Sequence, residues 1–336
     1  MADQKKNIVV IGGGIIGVCS AYYLTRHPSF NPSTHNITLL EATKIAGGAS
    51  GKAGGLLALW AYPGDIVPLS FRLHAELSTE HGGEDKWGYR RISCGQLEAR
   101  ARRLGTQAQQ KQEKNDAANG QSKDGESVSL QKRSQKAIGQ LRAAGFPVDL
   151  DWIAPESAVG YDEMSKPGNT AQVHPYQFTS AIASLAEQAG VKMEVGARVT
   201  AINKSSASTP AVESVSYTKD GQDHTIPADA CVLAAGPWTQ RLLPSAPISG
   251  LRAHSVTIKP TRHVSPYCLF TSISLPSQFY PDNAAHPKNV APEIYARPNQ
   301  EVYACGEGDT LVPLPRDTAS VVTDESRCQD LSLIHI

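Results

Sequence analysis

Residues 7–41 constrain this chain more than any other stretch, because they run strand, glycine turn, helix, strand and acid in an order that few folds accommodate. Asn7-Ile8-Val9-Val10-Ile11 is a short run rich in β-branched residues, the pattern of a parallel strand buried on both faces. Gly12-Gly13-Gly14-Ile15-Ile16-Gly17 follows at once and fits G-x-G-x-x-G. Gly12 permits the tight turn, Gly14 lets the backbone approach a pyrophosphate, and Gly17 lets the next helix pack close to the strand. That helix runs through residues 18–24 and fades before His27-Pro28, and Ile37-Thr38-Leu39-Leu40 reads as a second strand. Glu41 stands at its carboxyl end, where a carboxylate can accept hydrogen bonds from a ribose and would repel a 2′-phosphate. A glycine triplet alone is only a flexible turn. The strand before it, the helix after it and the acid beyond supply the context that a dinucleotide cradle requires.

A chain of 336 residues with 40% hydrophobic content can bury the core of one large or two medium domains, so size is no obstacle to an enzyme. Thirty-two basic and 32 acidic residues give a net charge of zero, which leaves nothing global to favour nucleic acid or an anionic membrane. Cys19, Cys94, Cys231, Cys268, Cys305 and Cys328 are scattered without a C-x-x-C, and Cys19 and Cys231 fall in apolar elements, so a reducing compartment is expected. Residues 1–7 lead into the first strand with no apolar signal region, and no run reaches the ~18 apolar residues of a spanning helix. The expectation is a cytoplasmic protein without a transmembrane segment.

A second segment dense in small residues, 47–58, continues into Leu56-Leu57-Ala58-Leu59-Trp60 without a polar break. It reads either as a surface loop or as a loop that enters the interior and passes a flat ligand closely. Taken together, residues 8–41, Gly48-Ala49-Ser50-Gly51 and Gly54-Gly55-Leu56 resemble the amino-terminal part of the FAD-dependent D-amino acid oxidase family in its broad sense, which includes sarcosine, glycine and fructosyl-amino acid oxidases. The resemblance implies FAD as cofactor. It implies that Gly12, Gly14, Ile15 and Gly17 hold the pyrophosphate, that Glu41 holds the adenosine ribose, and that Ser50, Gly54, Gly55 and Leu56 run toward the flavin. The fold it implies is α/β: a Rossmann-like FAD-binding domain of the glutathione-reductase type joined to a mixed-sheet substrate domain. The division expected is 7–80 and 168–243 for FAD, and 81–167 and 244–310 for substrate.

Farther along, 71–80 reads as a helix, and 89–99 resembles a strand pair around a Gly-x-Leu turn. Residues 105–129 are nearly free of large apolar side chains, so they are expected to be a disordered insertion. A helix over 130–144 stops at Gly145, and 148–153 reads as a strand. Pro175 takes a helix N1 position, Phe178, Ile182, Leu185 and Ala189 share one face, and Gly190 ends that helix. Strands follow at 191–195 and 197–202, then a hairpin over 212–227 around Asp220-Gly221. A buried strand, 230–236, meets a helix at 237–243. By resemblance, the Val199 backbone meets the adenine, and Ala235 and Gly236 form the turn that closes over the cofactor. From the residues alone, Val199 is a core valine. Residues 250–258, 293–298 and 302–306 read as strands of the substrate sheet.

No Ser-His-Asp order, H-E-x-x-H, Walker A sequence or clustered Cys/His metal pattern occurs, so no metal is expected and the chemistry falls to the cofactor. In the family the flavin takes hydride from a C–N bond, which implies a small amino acid or secondary amine as substrate. An amino acid needs a carboxylate clamp, for which the Arg fork is suited. Arg252 and Arg297 are the candidates, with Lys259 and Tyr295 behind them, against the plain alternative of exposed surface arginines. His254 is open between a core residue and a site residue, while His174 reads as the residue before a helix-starting proline. Two other classes compete with an FAD oxidoreductase: an NAD-dependent dehydrogenase using the same βαβ unit, and a flavin-fold protein that binds partners or lacks activity. Residues 311–336 offer no strand of useful length and no glycine-led helix to cover a flavin, so an irregular tail and a carboxyl-terminally incomplete fold are expected.

Overall fold

The computed structural model describes residues 5–101, 135–275, 289–306 and 308–332, and these separate into two units. One unit is built from the chain up to Arg90 with Gln172–His254 and Gly308–Asp324, the other from Arg91–Ala171, Ser255–Glu307 and the chain from Glu325.

In the first unit, the β-branched run at the amino terminus becomes the strand Lys6–Ile11, which is central in a parallel sheet of order Ala230–Leu233, Lys6–Ile11, His35–Glu41, Lys192–Val195. Val9, Ile11 and Leu40 pack on one face against Ala197 and against Val215 and Tyr217 of an antiparallel three-stranded meander. That meander, Arg198–Lys204, Val212–Lys219 and Gln222–Pro227, turns at Asp220 and Gly221, with φ of 51° and 77°. Two consecutive left-handed residues make the type I′ turn that the Asp-Gly pair announces. The helix Ile15–Thr25 lies beside Pro175–Gln188, whose buried stripe is Phe178, Ile182 and Ala186. This corrects the sequence stripe: Ala189 is the exposed C-cap, because the chain leaves the helix there for the left-handed Gly190 at φ 96°.

The second unit holds a seven-stranded mixed sheet of order Ser255–Ile258, Glu301–Cys305, Glu293–Arg297, Tyr267–Ser274, Ser93–Arg100, Ala158–Ser165, with Asn289–Val290 beside Tyr267–Ser274. Among the described strands, only Tyr267–Ser274 and Ser93–Arg100 run parallel within it. The period of two sends Leu97, Leu269, Ile273, Ile294, Ala296, Val302 and Ala304 to one face, where they form apolar clusters. Leu141 of the helix Gln135–Ala143 joins that core with Phe146, Leu150 and Ile153.

Four local expectations are corrected. Residues 148–153 are not a strand: Val148 is 66% exposed while Leu150 and Ile153 are buried, a three-residue spacing that a turn supplies and a pleat does not. Ser93–Arg100 runs straight through Gly95 without a Gly-x-Leu turn, and a Cβ there would sit 2.3 Å from the Tyr161 ring, so this glycine serves packing. The strand expected over 250–258 is only Ser255–Ile258. Residues 311–336 are not wholly irregular, since a 3₁₀ turn forms at Thr318–Ser320 and a helix at Glu325–Ser332. The insertion at 105–129 lies outside the described residues.

His74 of the helix Val67–His81 lies 4.6 Å from the Phe178 ring, and its Nδ1 is buried without a hydrogen-bond partner among the described residues. Burial lowers its pKa from 6.5 to about 4. A base depressed in the folded state stabilises the fold above its unfolded pKa, and that contribution is lost as pH falls from 6.5 toward 4. The expected loss over that window is roughly 3 kcal/mol. Urea unfolding at pH 7, 5.5 and 4.5 checks this, and His74→Phe is expected to flatten the decline.

Candidate functional site

The three parallel strands Lys6–Ile11, His35–Glu41 and Ala230–Leu233 end beside one another, and a cavity of about 360 Å³ opens at their carboxyl ends. Lys6–Ile11 has neighbours on both sides that arrive by different routes, so this is a switch point of the sheet, where α/β folds bind ligands.

Backbone contact dictates its floor. Gly12 has φ 111°, and a Cβ on it would lie 2.3 Å from the Ala234 carbonyl oxygen. A Cβ on Gly17 would lie 1.8 Å from the Gly12 carbonyl oxygen, which brings the helix Ile15–Thr25 hard against the turn. Gly14 differs: its Cβ would meet only Ser50 Oγ, at 3.0 Å. Gly14 is also the helix N-cap and has no side chain to satisfy the first-turn amides. Ile15 N–H is taken by Ser50 Oγ at 2.9 Å, and the other amides of that turn point at the cavity end of the helix, where an anion is favoured.

Glu41 is 8% exposed. Its Oε2 accepts from Gly13 N–H at 2.7 Å, and its Oε1 accepts from Thr43 N–H at 2.8 Å and Thr43 Oγ1 at 3.1 Å. The acid at the strand end therefore cements the glycine turn itself, and it also lines the cavity.

Of the residues expected at a cofactor, Gly12, Gly14, Ile15, Glu41, Ser50, Val199, Ala235 and Gly236 line this cavity. Gly17, Gly54, Gly55 and Leu56 stand outside its lining. Gly55 has a packing reason for its small size: at φ 93°, a Cβ would lie 2.1 Å from the Val173 carbonyl oxygen. Arg198, Trp238, Arg241 and residues 316–318 also line the cavity and escaped sequence reading. Asp317 pairs with Arg198, and this hydrogen bond holds its carboxyl down near 2. Nothing local marks these residues, because their partners lie more than seventy positions away.

The four side chains expected to meet substrate fall two in each unit. In the first unit, Arg252 holds Asp309 through Nε at 3.3 Å and Nη2 at 3.1 Å, so its fork is occupied by an ion pair. His254 is 7% exposed, and its Nε2 accepts from Asp324 N–H at 3.1 Å. In the second unit, strand alternation sets Glu293, Tyr295 and Arg297 on the sheet face opposite Ile294 and Ala296. Arg297 is 5% exposed, lies 4.2 Å over the Tyr303 ring, and donates from Nη1 to Glu301 at 2.7 Å. Tyr295 donates to Glu293, and burial, reinforced by that bond, raises its pKa far above that of a free phenol. Lys259 lies beyond the end of Ser255–Ile258, and His174 is the N-cap of Pro175–Gln188.

With this geometry in view, comparison with known proteins is direct. The sequence profile of the FAD-dependent oxidoreductase family, DAO, matches residues 7–331, and the chain belongs to that family. A Saccharomyces cerevisiae protein named as an oxidoreductase, TDA3, is 35% identical over 98% of this chain and 79% of its own length. Two solved structures share the fold at low identity. Glycine oxidase from Bacillus cereus aligns with a TM-score of 0.57 and 16% identity, over 94% of this chain and 78% of that one. L-proline dehydrogenase from P. horikoshii aligns with a TM-score of 0.61 and 15% identity, over 98% and 75%. FAD is the family's cofactor, so the NAD-dependent dehydrogenase is set aside. The residues present suit it, since the Gly12–Gly14 turn leaves backbone-only room and an unsatisfied helix end for a pyrophosphate. No helix among the described residues is long and apolar enough to cross a membrane.

Two predictions follow from the turn. Gly14→Val is expected to leave the circular dichroism spectrum unchanged while weakening FAD binding, whereas Gly12→Ala, which meets backbone, is expected to destabilise the unit by about 2–4 kcal/mol. Chemical denaturation beside flavin fluorescence titration separates the two.

Glu41→Ala orphans the buried Gly13 amide. It is expected to lower the stability of the FAD-free chain by about 1–3 kcal/mol as well as loosening FAD. Equal denaturation midpoints for the FAD-free variant and wild type would show that the Gly13 bond contributes nothing.

Proposed function

We propose that the chain is a flavoenzyme that oxidises the C–N bond of an amino acid or secondary amine. The observation that carries this reading is the cavity at the strand ends, floored by Gly12 and Gly14 and walled by Glu41 and Ser50, in a chain of an FAD-dependent oxidoreductase family. Gly12 and Gly14 receive the pyrophosphate by backbone beside Ile15, whose N–H Ser50 holds, and Gly17 keeps the helix close enough for its remaining amides to reach it. Glu41 accepts from the adenosine ribose with the lone pairs that Gly13 and Thr43 leave open. Val199, Ala235 and Gly236 contact the cofactor through backbone, and Gly54, Gly55 and Leu56 continue toward the ring system from the Ser50 loop. Bound FAD supplies the two-electron acceptor that takes hydride from the substrate carbon.

Arg297 is the residue proposed to bind a substrate carboxylate. Glu301 accepts from its Nη1 and the Tyr303 ring lies beneath its plane, so the guanidinium is held in a set orientation. Tyr295 keeps its proton at any working pH and is steered by Glu293, which makes it a positioned hydrogen-bond donor rather than a base. Arg252, paired with Asp309, is assigned a structural task in this reading. The reducing, cytoplasmic setting proposed for the protein is supported by six cysteines that all carry free thiols.

The test is spectroscopic. Purified protein should carry oxidised flavin, and anaerobic titration with glycine, sarcosine, D-alanine, proline and simple secondary amines should bleach it with at least one of them. Arg297→Met should raise KM for a carboxylate-bearing substrate about 100-fold, roughly 3 kcal/mol, with a smaller change in kcat. A loaded protein that none of these compounds reduces would remove the amine from the reading while leaving the cofactor in place.

A further inference from the structure

The structure assigns residues 314–318 as a strap that closes the dinucleotide cavity, fastened by Arg198 to Asp317 so that the fastening governs how fast FAD enters and leaves. The inference rests on the reading of that cavity as the FAD site.

The strap is made from a sequence poorly suited to a sheet. Pro315 within it and Pro313 just before it lack an N–H, which interrupts any ladder, while every residue offers a carbonyl. Side-chain donors from the cavity wall meet those carbonyls one after another. Arg241 Nη2 donates to Leu314 O at 3.1 Å and to Pro315 O at 3.0 Å, and its Nη1 donates to Arg316 O at 2.7 Å. Trp238 Nε1 donates to Pro315 O at 2.7 Å, and Arg198 Nη1 to Arg316 O at 3.2 Å. Asp317 then takes the other arm of Arg198 and is itself held by Ser320, whose N–H and Oγ donate at 2.9 and 2.8 Å.

The far end of the strap seats on the opposite wall. Thr318 Oγ1 bonds Thr43 Oγ1, next to the residue that grips the glycine turn. A Cβ on Gly47 would come within 2.9 Å of Thr318 Oγ1, and one on Gly48 within 3.3 Å of its methyl, so the small residues of that loop make the seat for Thr318. The strap thus spans from the Arg198, Trp238 and Arg241 side to the Thr43 and Gly47 side, and residues 316–318 line the cavity beneath it.

All of these fastenings are side-chain bonds, and no strand ladder includes the strap. Releasing them leaves both sheets of the unit paired, so the strap can lift without unfolding anything beneath it. A cofactor held under such an element must wait for it in both directions.

The experiment uses the full chain loaded with FAD. Release is followed as recovery of flavin fluorescence after mixing with a large excess of ADP, and loading as its quenching when FAD meets the FAD-free protein. Asp317→Asn is expected to speed release at least tenfold and to speed loading as well, and the exchange R198D/D317R is expected to slow both again. Faster release with unchanged loading would make Asp317 a simple contact and overturn the strap, as would release within twofold of wild type. If Asp317→Asn does not fold, Thr318→Ala, which frees the other end only, must speed both steps or the inference fails. A wild-type chain that binds no FAD overturns the cofactor reading together with this one, and it does so before any variant is made.

Discussion

The first unit depends on one close approach, the Gly12 carbonyl against the backbone of Gly17. A Cβ on Gly17 would fall 1.8 Å from that oxygen, so the contact exists only because the side chain is missing. It sets the helix Ile15–Thr25 against the end of Lys6–Ile11, which directs the helix amides toward the cavity and puts Ile15 within reach of Ser50. Loosening it would move the anion-attracting end of the helix away from the strand ends and dissolve the site without touching any group that contacts a ligand.

Glu41 couples this turn to the next layer. A buried carboxylate needs several donors, and Gly13 and Thr43 provide them. The same side chain therefore stabilises the turn and is the one proposed to meet the ribose. Thr43 in turn reaches Thr318, so glycine turn, acid and strap form one hydrogen-bonded series inside a single unit. A substitution anywhere along it is transmitted to the cavity wall.

Much of this unit is legible in sequence because its determinants are local. The glycine spacing, the β-branched run before it, the acid at 41, the Asp220-Gly221 turn and Gly190 each act within a few residues of themselves, and the structure shows the corresponding strand, turn or helix end. What escapes is set by distant partners. Arg252 looks like a free carboxylate clamp until Asp309, 57 positions on, is found against it. Leu314 and Pro315 look like featureless proline-rich tail because their bonds are made by side chains from elsewhere in the chain. Residues 148–153 are apolar enough for a strand, but their burial follows a turn's spacing, which composition does not report.

The Arg252–Asp309 contact has a topological meaning beyond its charge. Two backbone bonds accompany the ion pair, Arg252 N–H to Asp309 O at 2.9 Å and Asp309 N–H to Arg252 O at 2.6 Å. The chain departs for Ser255–Glu307 just after one of these residues and comes back just before the other. The excursion is thus a long loop whose two ends are stitched together, and the entropy of closing it is offset at those ends rather than along its length. Substitutions in the strands inside that loop leave its closure untouched, because the bonds that close it are made by two residues outside them.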